Sequence, residues 1–131
     1  MPHAERMHAP DLFPPPGYAH VAVATAPGLV LTAGAVPLDR EGSIVGAGDV
    51  RLQARQTLDN LMQQLAAAGA SGDDVLKTTV YVASTNRADL VAVWEEVQQS
   101  PIAAAASTLL GVALLGYPEQ LVEIEAIAAL P

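Results

Sequence analysis

The chain has 131 residues, enough for one domain with a real core and too few for two. Six lysines and arginines against 14 aspartates and glutamates leave a net charge of −8, which argues against a nucleic-acid partner and against an anionic membrane surface. Cysteine is absent, which removes disulfides, thiolate metal sites and cysteine nucleophiles together.

In chain order, residues 10–17 hold four prolines and a glycine and read as an extended entry arm, so residues 1–17 form an arm and 18–131 a single domain. His3 and His8 fall in that arm, expected to be loose, which leaves only His20 for histidine chemistry; no metal site and no Ser-His-Asp triad is expected. The apolar, valine-rich runs Ala19 to Ala24 and Leu29 to Val36, with Ala26-Pro27-Gly28 between them, predict an antiparallel hairpin. Ile44-Val45 adds a brief strand in the glycine-rich loop that follows. Asp49 then caps a helix with apolar positions at Val50, Ala54, Leu58, Leu61, Met62 and Leu65, ending at Gly69.

Val75 to Ala83 alternates Lys77, Thr79 and Tyr81 against Leu76, Thr78, Val80 and Val82, the pattern of a strand with one face more buried than the other. A second helix, capped by Asn86 with Asp89 in a capping-box-like pair, carries Leu90, Val93, Trp94 and Val97 on one stripe and stops at Ser100-Pro101. Strands over Ser107 to Leu114 and Gln120 to Ala129, with a turn at Gly116-Tyr117-Pro118, close the chain. The order is that of an α+β fold: one mixed sheet with both helices on one face. Apolar residues make up 51% of the chain and charged residues 15%, more apolar surface than a small monomer covers. The opposite sheet face is therefore expected to be covered by another copy. No apolar run of about 18 residues and no secretory-signal order occurs, so the expected location is the cytoplasm, with no membrane partner.

Glu123 and Glu125 carry the most suggestive chemistry. Two apart on a strand, they share a face about 7 Å apart, where paired carboxylates can divide acid and base work. A solvated strand face has the same pattern. Tyr18 and His20 also stand two apart at the start of the first strand. No glycine-rich phosphate loop leads into a helix, so nucleotide binding has no support.

The strings Ala33-Gly34-Ala35-Val36-Pro37, Gln53-X-Arg55-Gln56-X-Leu58-X-Asn60-Leu61, Lys77-Thr78-Thr79-Val80-Tyr81-Val82 and Leu121-Val122-Glu123-Ile124-Glu125-Ala126-Ile127-Ala128 resemble the RidA/YjgF family of reactive-intermediate deaminases. The resemblance runs from about Tyr18 to Ala128. It implies a chorismate-mutase-like fold, a barrel-like homotrimer with clefts between subunits, and hydrolysis of 2-imino and 2-enamino acids to keto acids and ammonia without metal or cofactor. It also implies that Glu123 positions or activates the attacking water, and that Tyr18, Gly34, Trp94, Ser107 and Leu109 line the cleft. Members are also labelled endoribonucleases, a label that the charge of −8 argues against.

Deaminating members carry an arginine that forks onto the substrate carboxylate; here the register on Leu109 to Val112 puts Ser107 at that position, and no arginine follows Arg87. The family's usual Ser-Gly-Gln reads Ala33-Gly34-Ala35, and Trp94 stands where an asparagine is frequent. A serine cannot supply a bidentate, permanently charged fork. The expectation is a homotrimer that binds a small metabolite between subunits, with imine deamination weak or lost. The alternative is an active 2-enamine/2-imine hydrolase in which Arg40, Arg51 or Arg55 replaces the missing cation.

Overall fold

A computed structural model of the chain describes residues 2–7, 10, 17, 21–25 and 28–130. Its strands are β1 (Ala4–Met7), β2 (Val21–Ala24), β3 (Gly28–Leu31), β4 (Val75–Val82), β5 (Ala106–Gly111) and β6 (Val122–Leu130), with helices α1 (Val50–Ala67) and α2 (Arg87–Gln98) and a 3-10 turn at Gly72–Asp74. The mixed α+β architecture is the one expected.

The helix starts are set by side-chain caps. Asp49 accepts from the Leu52 N–H at 3.0 Å and Asn86 from the Ala88 N–H at 3.0 Å, each satisfying a donor that a helix start leaves free. The predicted Asn86/Asp89 box is not closed. Ser84 takes its place: its Oγ accepts from Asn86 N–H at 3.0 Å and donates to Asp89 at 2.7 Å.

The main sheet runs β3-β6-β4-β5, with β4/β5 parallel and the other pairs antiparallel. The predicted hairpin is corrected. Among the described residues β2 pairs with β1, while β3 runs along β6 from Gly28↔Leu130 to Leu31↔Ile127. Alternation fixes which face a strand buries and says nothing of its neighbour. The strand predicted to reach Val36 ends at Leu31, the one predicted to reach Leu114 ends at Gly111, and the brief strand at Ile44 is a single bridge to Leu38.

The segment read as an arm contains β1, and His3 is not loose. Its N–H and Nδ1 each lie 3.1 Å from Asp74 Oδ1, and Arg6 donates to the carbonyls of Asp73 at 2.9 Å and Val75 at 2.6 Å. Burial pushes the Asp74 carboxyl up, but hydrogen bonds from Ser71 and His3 outweigh it and hold the group below the usual carboxylate range.

The core lies between the helices and one sheet face. Ala54, Leu58, Leu61 and Leu65 of α1 and Val93 and Val97 of α2 pack on Val80, Val82, Val122, Ile124 and Ala126. The other face stays open: Leu29 and Leu31 are 59% and 71% exposed, and Lys77, Thr79, Tyr81, Glu123, Glu125 and Ile127 are half-buried.

A charge cluster joins the helices. Arg55 forks onto Glu96 at 2.9 and 3.1 Å, and Arg51 reaches Glu95 at 3.1 Å and Glu96 at 3.5 Å. The Arg55 hydrogen bonds hold the buried Glu96 carboxyl below its usual value of 4.5, against the upward push of burial. A lowered folded-state pKa contributes stability above the unfolded value, and that stability is lost as pH falls through the folded one. Thermal melts of wild type should therefore fall more steeply than those of Glu96→Gln between about pH 6 and about pH 3. Parallel curves for the two proteins would show that the cluster contributes nothing.

Candidate functional site

Strand alternation on β6 puts Val122, Ile124 and Ala126 in the core and leaves Glu123 and Glu125 on the open face, the shared face that their spacing predicted. Each carboxylate has its own partner. Tyr81 donates to Glu125 Oε1 at 2.6 Å, and this bond, burial and the two carboxylates raise the phenol pKa above its ordinary value. Glu123 Oε1 accepts from Gln120 Nε2 at 3.1 Å.

The other oxygen of Glu123 packs on Gly34. A Cβ at residue 34 would overlap Oε2 and lie 2.6 Å from Cδ, so glycine lets the carboxylate approach this closely and any larger residue would displace it. The segment around it is pinned to β6: Thr32 N–H donates to Ala126 O at 3.0 Å, and Ala35 and Ile124 exchange hydrogen bonds of 2.7 and 3.1 Å. Helix α1 holds it from outside, with Gln64 donating to Ala33 O at 3.3 Å and Asn60 to Val36 O at 2.7 Å and Leu38 O at 2.9 Å. That is the physical role of Asn60 in its sequence block.

Gly34 and Glu123 are thus brought together. Ser107, Leu109 and Trp94 are not with them. In the β4/β5 register Ser107 lies beside Thr78 and Leu109 beside Val80, which puts both on the helix-side face, and Ser107 Oγ accepts from Thr78 Oγ1 at 2.8 Å. Trp94 packs half-buried on the core from α2. Tyr18 and His20 lie outside the described residues. Gln53, Tyr81 and Gln120 went unread as site residues. The alternation of β4 does place Tyr81 on the face of Glu123, directly across from it, and that was the available signal.

Arg51 and Arg55 are engaged by Glu95 and Glu96, and Arg40 is exposed on the loop beside α1. No cluster of metal-ligating side chains occurs among the described residues, and none of their helices is long and apolar enough to cross a membrane. The open face carries a shallow depression of about 170 Å³ bordered by Leu31, Lys77, Thr79 and Glu125.

Residues 11–130 match the endoribonuclease L-PSP family. A RutC family protein of Synechocystis is 38% identical over 119 residues, covering 89% of each chain. A 2-iminobutanoate/2-iminopropanoate deaminase of Salmonella typhimurium is 43% identical over 58 residues, 44% of each chain. Among solved structures, the Rid-family protein YyfB of Yersinia pestis, of unknown function, superposes with a TM-score of 0.91 at 32% identity over 98% of this chain and 99% of that one. The YjgF gene product of E. coli superposes with a TM-score of 0.64 at 30% identity over 94% and 91%. With the match running over nearly its whole length, the chain belongs to the endoribonuclease L-PSP family, the RidA/YjgF/RutC group.

Proposed function

We propose that the protein is a homotrimer that binds a small metabolite in clefts between subunits, that Glu123 faces the ligand, and that imine deamination is weak or lost because Ser107 replaces the substrate-anchoring arginine. The carrying observation is the placement of the expected cleft residues on opposite faces of one sheet. Glu123 and Gly34 meet on the open side, whereas Ser107 and Leu109 stand on the other. A cleft that uses both sets takes one set from each of two neighbouring copies. The exposed Leu29 and Leu31 favour the same association.

Such a cleft keeps a carboxylate and loses its cation. Arg51 and Arg55, two of the three substitutes the sequence offered, are tied to α2, so a ligand that does not depend on a carboxylate fits better than an imino acid. The cleft needs no metal or cofactor, and the net charge of −8 disfavours RNA and anionic membranes. The second reading, an active 2-enamine/2-imine hydrolase with Glu123 positioning the water, is favoured by the likeness to the Salmonella deaminase.

Subunit mixing tests the shared cleft. A Ser107→Arg/Glu123→Ala chain supplies the cation without the carboxylate, and wild type supplies the carboxylate without the cation. Co-refolded hybrids should hydrolyse 2-imino acids while each parent alone stays at background. Silent hybrids beside an active Ser107→Arg homo-oligomer would place the cleft within one chain.

A further inference from the structure

The carboxylate of Glu123 is gripped through a residue that the family resemblance does not single out. Gln120 is 4% exposed, and every strong polar site of its amide is engaged. Nε2 donates to Glu123 Oε1 at 3.1 Å and to Val122 O at 3.0 Å, while Oε1 accepts from Tyr117 N–H at 3.1 Å. Turning the amide over would set oxygen against two acceptors, so this side chain has one orientation.

The backbone around Gln120 is built to hold it. Glu119 has a φ of 66°, a left-handed conformation that non-glycine residues adopt rarely and at a cost. Gln53, fully buried on α1, donates to Glu119 O at 2.9 Å and accepts from Leu121 N–H at 2.7 Å, so it grips the chain on both sides of Gln120. A loop that only joined β5 to β6 would need neither a strained residue nor two buried amides. Such strain persists where the surroundings over-determine it, which is characteristic of positions that orient a functional group.

We infer that Gln120 is a positioning residue for Glu123: it holds Oε1 and leaves Oε2, lying against Gly34, as the oxygen presented to a bound ligand. The inference rests on the reading of Glu123 as the ligand-facing carboxylate, but its geometric half is testable apart from that reading. The amide of Gln120 also neutralises no charge, so its contribution is direction and not electrostatic rescue of the missing arginine.

The test combines crystal structures of Gln120→Leu and the isosteric Gln120→Glu with imine hydrolysis kinetics of both in the Ser107→Arg background. In each variant Glu123 should leave Gly34, with residues 119–121 still gripped by Gln53. Because small misplacements of a reacting group are costly, kcat should fall about 10- to 100-fold while KM moves less than about twofold. A Glu123 carboxylate that stays seated on Gly34 in both variants overturns the inference, whether or not Ser107→Arg hydrolyses imines. A displaced carboxylate with unchanged kcat in an active background overturns its functional half. A Ser107→Arg protein without turnover counts against the proposed function alone, and the two structures then decide the positioning role.

Discussion

Ser107→Arg raises the hydrolysis of 2-imino acids above the wild-type level. A charge-assisted fork on the substrate carboxylate is worth about 1.5–3 kcal/mol, and at about 1.36 kcal/mol per decade this is a gain of roughly 10- to 150-fold in kcat/KM. The site can take the larger side chain because Ser107 is half-buried on β5, the strand at one edge of the main sheet. The change also takes an acceptor from the buried Thr78 hydroxyl, so a modest fall in stability accompanies the gain. Ser107→Lys should gain less, since an ammonium lacks the planar pair of donors. Keto-acid and ammonia release from imino acids generated in situ measures all three proteins. A Ser107→Arg protein that is folded, keeps the wild-type oligomeric state and stays at background would show that the cation is not what the proposed cleft lacks.

Ile124→Ala gives a large loss of stability, about 2–5 kcal/mol out of the roughly 5–15 kcal/mol that holds a domain of this kind together. Ile124 is fully buried, lies opposite Val80 in the sheet, and exchanges both backbone hydrogen bonds with Ala35, next to Gly34. The cavity left by alanine therefore opens directly beneath the strand that carries both carboxylates. Leu114→Ala, at a side chain 83% exposed, should shift stability by no more than about 0.5 kcal/mol. Urea unfolding distinguishes the two, and equal midpoints would contradict the burial that defines this core.

Side-chain spacing made most of this architecture legible. The caps at Asp49 and Asn86, the helix stripes and the shared face of Glu123 and Glu125 are local, and local patterns can be read from neighbours in the chain. Strand pairing is not local. β3 resembles the second arm of a hairpin by composition, yet its partner is β6, nearly a hundred residues away, and nothing in Leu29-Val30-Leu31 names it. The docking of His3 and Arg6 on the turn at Gly72–Asp74 was hidden for the same reason.

The site divides along the same line. Glu123 stands out by its spacing from Glu125, whereas Gly34 and the role of Glu123 come from a resemblance, and their contact gives a physical reason: a side chain at residue 34 would collide with the carboxylate as it is seated. Gln53 and Gln120 escaped notice because glutamine is ordinarily a surface residue, and only burial reveals that their amides hold a strained turn. The two faces on which Glu123 and Ser107 stand were implicit in strand alternation, but they became meaningful only once β4 was seen to join β6 and β5 in register.

The most direct measurement is ammonia and keto-acid release from 2-aminoacrylate and longer imino acids by wild type and Glu123→Ala at matched protein concentration. A cleft without its anchoring cation predicts wild-type rates at the buffer background, unchanged by Glu123→Ala. Substantial wild-type turnover abolished by Glu123→Ala would contradict that account and establish a working hydrolase whose substrate carboxylate is held by some other group.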